Sequence, residues 1–305
     1  MTVKKSIALF LSLNMLATPV ISSAAPLIPG FSRKITIPVP SADALPQVRG
    51  TSWTGVADIT QAPGKSELVI NQNAPQAIIN WDSFNIGAAA AVRFNQRDSQ
   101  GNPQKDWAAL NRIYDINPTL IFGKLSADGK VYLINQNGIM FGGGSQVDVH
   151  SLVASTLNMR NADFMDRALR FTAENYQNPA YVDGDTAKNA LLPPPSMDAV
   201  VVNQGNLTAS TGGSVFLLGP TVENSGTITA YAGKIELISS AQSGHDPTGK
   251  VPDITITELA DSGTNDIKYR SLPTIGAARN LEGGQLLADE GKVGMFGYQV
   301  RQDGL

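Results

Sequence analysis

From Arg49 onward the apolar positions fall in short runs, each followed by Gly, Asn or another turn former. Residues 67–70, 77–81, 92–94, 131–134, 147–149 and 200–202 are examples. Runs this short, punctuated this often, predict many brief β-strands rather than helices. Helical periodicity is confined to one place. Over residues 161–176, Phe164, Leu169 and Phe171 are interleaved with Asp166, Arg167 and Arg170, which predicts a helix there. That segment runs into Gly184, Asp185 and the triplet Pro193, Pro194, Pro195, which cannot lie in a central strand. Residues 160–198 are therefore expected to leave the main architecture as an excursion.

The strand runs repeat. Asn-Gln-Gly-Asn-Leu-Thr-Ala at 203–209 recurs as Asn-Ser-Gly-Thr-Ile-Thr-Ala at 224–230. Each copy is followed by a second run, at 213–218 and 233–238, and residues 129–134 and 291–296 have the same Gly-led form. A period near twenty residues with two or three strands per unit predicts an all-β fold, a parallel β-helix. One coil cannot bury its own apolar side, so coils stack at about 4.8 Å and share a core. Asparagines recurring at turns can stack between coils, and Gly supplies positive φ where the chain turns corners. A β-sandwich would not repeat at this spacing, and the leucine ladder of a leucine-rich repeat is absent. Such a stack needs its first edge covered, and residues 51–59 are the candidate cap.

Composition narrows the function. The 305 residues include 23 basic and 26 acidic side chains, and only 16% are charged. That balance offers no basic field for nucleic acid and no polybasic segment for an anionic membrane. With no cysteine there are no disulfides, thiol nucleophiles or cysteine-bound metals, and two histidines, His150 and His245, exclude a multi-histidine zinc site. No cofactor is expected. At the N-terminus, Lys4 and Lys5 precede an apolar stretch at 7–17 and the small residues Ser23, Ala24 and Ala25. This is the pattern of a cleavable signal peptide over residues 1–25, too short to span a bilayer. A proline-rich, extended lead-in follows over 26–48.

Several tempting sites weaken on inspection. Trp53, Trp81 and Trp107 could stack on sugars, but Trp81 sits in an apolar run that favours core packing. Gly123 with Gly129 and Lys130 has the wrong gap for a phosphate loop, and Val131 stands where a hydroxyl is needed. Asp183 and Asp185 lack a third acid at calcium-loop spacing. A β-helix enzyme acting on polysaccharide would set paired carboxylates on neighbouring coils. The outward positions of the repeated strand are Tyr132, Phe216, Glu236 and Gly294, with one acid among them. The residues thus predict a structural or binding protein, not an enzyme.

One block of motifs carries a family resemblance. Asn80 and Trp81 close a strand run and are followed by Phe84, Asn85, Ile86 and Gly87. Leu110 to Ile113, Asn117-Pro118 and Ile121 to Gly123 come next, then residues 129–134, the turn Asn135, Gln136, Asn137, Gly138 and Ile139, and finally residues 152–156. In this order they resemble the N-terminal secretion domain of two-partner secretion exoproteins, the filamentous haemagglutinin-like family. Gln136 replaces that family's usual proline, and a second Asn-Pro-Asn-Leu motif is missing.

The resemblance implies a right-handed parallel β-helix that crosses the periplasm unfolded. It further implies recognition by periplasmic domains of a dedicated outer-membrane β-barrel transporter, then folding outside, secreted at the cell surface or into the medium. It divides the chain into a secretion-domain core at 49–159, the excursion, and further coils at 199–305 that continue downstream. The downstream part would carry adhesive, haemolytic or toxic function and contact host or neighbouring cells. Asn80, Trp81, Phe84, Asn85 and Gly87 become the early strand motif, and Asn135 to Ile139 a transporter-recognition or folding turn with Gly138 at positive φ. The alternatives are a self-sufficient surface adhesin and the polysaccharide-active enzyme.

Overall fold

The computed structural model describes residues 39–193, 195–196, 198–239, 253–257, 266–269 and 276–305. The signal peptide, most of the lead-in and His245 lie outside them.

The short runs form strands that wind around three sheets in turn. The first sheet stacks Gln76–Ser83, Ala108–Ile113, Lys130–Ile134, Ser151–Ser155, Ser214–Gly219, Lys234–Ser239 and Lys292–Phe296 in parallel. The second runs from Glu67–Gln72 to Gln285–Leu287, and the third from Thr119–Ile121 to Gln299–Gln302, also in parallel. This is a parallel β-helix. The sequence repeat is the stacking register itself: Asn203 pairs with Asn224, Asn206 with Thr227, and Ser214 with Lys234. Alternate side chains of the first sheet, such as Val131, Leu152, Val215 and Ile235, form one column inside the coils and are at most 1% exposed. Two-residue periodicity puts every second side chain there.

Antiparallel strands cover the N-terminal edge. Gln47–Thr54 pairs with Gln76–Ser83, and Val56–Gln61 pairs with Glu67–Gln72. The cap contains the expected residues 51–59 and starts earlier, taking in the end of the lead-in. The lead-in is also not simply extended: Ala44 N donates to Ser41 O, and this turn docks on the first coil through Gly87 N to Ala44 O at 2.9 Å.

Asparagines stack at one corner as expected. Asn203 Nδ2 donates to Asn224 Oδ1 at 2.8 Å, and Asn224 Nδ2 donates to Asn280 Oδ1 at 2.7 Å, all three side chains being fully buried. Asn224→Ala strands a donor above and an acceptor below, each a buried group costing ~1–3 kcal/mol when unpaired. We expect ~2–4 kcal/mol of lost stability, measurable by urea unfolding. Asn206→Ala, an exposed position one strand away, should change it little.

Glycine acts differently from expectation at the repeat's leading position. Gly138 does have positive φ, at 114°. Gly213, Gly233 and Gly291, however, are not among the positive-φ residues. A Cβ on each would strike the backbone of the coil beside it: His150 O, Gly213 O and Gly233 O, all well under 3.0 Å. Here Gly is required because successive coils approach too closely for any side chain.

The excursion differs most from the sequence reading. The helix covers only Asn161–Met165, and Leu169–Thr172 is a strand, antiparallel to Asp253–Thr257, which pairs with Asp266–Tyr269. Leu169 and Phe171 are buried while Arg170 is exposed, a period of two that the longer helical pattern masked. This small sheet roofs the first sheet from outside. The outward column, Tyr132, Val153, Phe216 and Glu236, is consequently no open groove. Leu110, Val153 and Phe216 form a second core with Phe164, Leu169, Phe171 and Tyr176. Tyr132 meets Phe164 edge-on with ring centroids 5.6 Å apart.

Candidate functional site: one corner of the coils and its clasp

Both sequence-predicted motifs lie where the chain passes from the first sheet to the third. In the early motif, Trp81 is fully buried, edge-on to Phe84 at 5.1 Å, and its Nε1 donates to Asn111 Oδ1 at 2.9 Å. This ring is core, not a sugar platform. Asn80 reaches the cap strand through Nδ2 to Ser52 Oγ at 2.6 Å, and Asn85 Oδ1 accepts from Leu120 N in the next coil at 2.8 Å. A Cβ on Gly87 would collide with the Ser41 and Ala42 carbonyls, so Gly87 is the seat of the lead-in turn.

Two coils along, Asn135 is fully buried. Its Oδ1 accepts from Asn137 N at 2.9 Å, and its Nδ2 donates to Asn117 O and Thr119 Oγ1 at 3.1 and 3.0 Å. The first contact is the Asx-turn geometry for which asparagine is suited. Gly138 N closes the turn on Asn135 O at 3.1 Å, and Ile139 enters the third sheet, 1% exposed. Gln136 is 2% exposed, with Nε2 donating to Glu174 O at 2.7 Å and Oε1 buried without a partner among the described residues. Asn137 is half-buried, its Nδ2 donating to Asp115 O and to Gln177 Oε1 at 2.8 and 2.7 Å.

Thus the excursion lies over this corner, a contact between segments with no sequence relation to each other. Tyr176 Oη lies 2.6 Å from Ile113 O and 2.9 Å from Ile134 O, sharing its proton between neighbouring coils. Burial pushes that hydroxyl well above the ordinary tyrosine range, so it remains a donor. One charge contact braces the excursion internally and a second holds it to the first sheet. Arg160 makes a fork to Glu174 at 3.0 and 2.8 Å, and Glu174's hydrogen bond raises the guanidinium further. Arg112, 4% exposed in the first sheet, donates to Asn158 Oδ1, Asn161 Oδ1 and Met159 O and lies 3.7 Å from Asp183. Asp183 also accepts from Tyr181 Oη at 2.9 Å, while Asp185 caps the short helix Thr186–Asn189. Asp185 thus serves the excursion's own structure, and Asp183 also ties it to the first sheet.

The chain is thus a capped parallel β-helix with an excursion clasped over one corner. Residues 47–304 match the family described as TPS secretion domain, and the chain belongs to this two-partner secretion family. It is a secretion module of large exoproteins secreted across the outer membrane. Two heme/hemopexin-binding proteins of Haemophilus influenzae are similar to it. One, from strain Rd, is 30% identical over 184 residues, 58% of this chain and 19% of the relative. The other is 35% identical over 106 residues, 35% of this chain and 11% of the relative. The matched stretch is thus a fifth or less of either. The HMW1 secretion domain of Haemophilus influenzae superposes with a TM-score of 0.60 at 25% identity, over 84% of this chain and 57% of that one. Membership implies a partner transporter in the outer membrane. No helix of the described residues is long and apolar enough to cross a membrane.

Proposed function

We propose that periplasmic domains of the partner transporter read the corner at residues 135–139 in the unfolded chain, and that the antiparallel cap then templates coil stacking outside the cell. The observation that supports this is Gln136. A buried amide oxygen without a partner costs ~1–3 kcal/mol, and residues that burden the fold mark positions with another task. Stacking from the cap suits a fold in which each coil contacts only its neighbours. The same reading leaves adhesion, haemolysis or toxin delivery, and any host or neighbouring-cell contact, to the remaining length of such exoproteins. It is a binding and folding module rather than an enzyme, since Glu236, the acid of the outward column, lies 1% exposed.

Asn137→Ala tests it. The variant loses two side-chain hydrogen bonds worth ~1 kcal/mol each, which lowers Tm by ~4–8 °C for a domain of this size. We expect secreted yield through the transporter to fall far more than this modest loss explains. Normal secretion alongside a lowered Tm would make the corner purely structural.

A further inference from the structure

The residues that read as the transporter's target are the ones the excursion consumes. Gln136 is held by the Glu174 carbonyl and Asn137 by the Gln177 side chain, partners 38 and 40 residues further along the chain. Tyr176, between them, bridges the carbonyls of Ile113 and Ile134. In an unfolded chain none of these contacts exists, and residues 135–139 are open. In the folded domain Gln136 is inaccessible and Asn137 is half-covered.

Closure also depends on the coils. The roof has nothing to seat on until Leu110, Val153 and Phe216 stand in one column, because its Phe164, Leu169 and Phe171 bury themselves against that column. Arg112 can gather Asn158, Asn161 and Met159 O only once its own strand, Ala108–Ile113, is paired on both sides. The Arg160–Glu174 fork then fixes Glu174, whose carbonyl holds Gln136.

We propose that the excursion is a folding-coupled latch: open while the chain is unfolded, it leaves residues 135–139 to the transporter, and closed after the coils stack, it ends that contact. Binding energy at the corner is thereby exchanged for folding contacts at the same atoms. Transporter release then needs no separate signal. The inference rests on the reading of the corner as the transporter's target.

The test uses the full chain and the transporter's periplasmic domains fixed on a sensor surface. Wild type freshly diluted from urea should bind, and the same protein after refolding should bind at least tenfold more weakly. The Arg160→Ala, Glu174→Ala double variant keeps every corner residue but lacks the fork. Once refolded it should bind at least tenfold more tightly than refolded wild type, and adding Asn137→Ala should abolish the gain. Circular dichroism checks that the double variant is β-helical. If it is not, Gln177→Ala, which removes the cover of Asn137 together with that side chain's bonds to Ile113 O and Asp115 O and leaves residues 135–139 intact, decides in its place by the same comparison.

Refolded wild type that binds as tightly as the freshly diluted chain overturns the latch. In that case sensitivity of the fresh chain to Asn137→Ala shows that the corner is still the target. Fresh chain that binds equally well with Asn137→Ala overturns the corner reading, and the latch with it.

Discussion

Gly233→Ala is expected to lower Tm steeply for the addition of a single methyl group. The new Cβ would fall well under 3.0 Å from the Gly213 carbonyl oxygen, a contact real side chains do not make. Neither backbone can yield. Gly233 O accepts from Lys292 N at 2.9 Å on the far side, and Lys234–Ser239 is locked in register between two neighbouring strands. Relief requires parting two coils, at ~4 kcal/mol or more, the range reserved for severe overpacking. That corresponds to a Tm drop of ~8–16 °C in a domain of this size. Gly212→Ala is the comparison. Gly212 has φ of 79° and nothing within 4 Å of its would-be Cβ, so only the left-handed backbone cost of ~1–2 kcal/mol applies. Equal melting temperatures for the two variants would show that coil spacing is not what selects glycine at the head of the repeat.

Trp81→Ala should be nearly as damaging. The ring is fully buried beside Phe84, and truncating a buried tryptophan costs ~3–5 kcal/mol. Trp81→Phe divides that loss. It keeps most of the packing but leaves Asn111 Oδ1 without its indole donor, at ~1–3 kcal/mol. Asn111 Nδ2 stays bonded to Ala109 O and Tyr132 O, so the second coil should hold its register in the Phe variant. Urea unfolding of both variants gives the ordering. A Trp81→Ala protein as stable as wild type would mean that the early motif does not anchor the first coils.

What could be read from the sequence was whatever repeats from coil to coil. Asn203 and Asn224, or Ser214 and Lys234, are equivalent in sequence because they are hydrogen-bonded neighbours in space. Non-periodic contacts left no such trace. Phe164, Leu169 and Phe171 have spacing compatible with a helix, and only docking against Leu110 and Phe216 shows that the last two belong to a strand. The apolar character of Tyr132 and Phe216 did hold a clue, since outward positions facing water would rarely be so large and greasy. Such residues signal a second core, which Phe216 forms with the excursion. At the candidate site, the local turn was legible: Asn135 bonds its own neighbour and Gly138 takes positive φ. Its cover was not, because Glu174 and Gln177 reach it from the excursion with no sequence relation to the corner.

Secretion with and without the partner barrel tests the central claim most directly. The native chain is expressed in cells that carry or lack its outer-membrane transporter, and the medium and periplasm are assayed for it. The account predicts chain in the medium only when the transporter is present, and chain retained in the periplasm when it is absent. Equal release in both strains would contradict it.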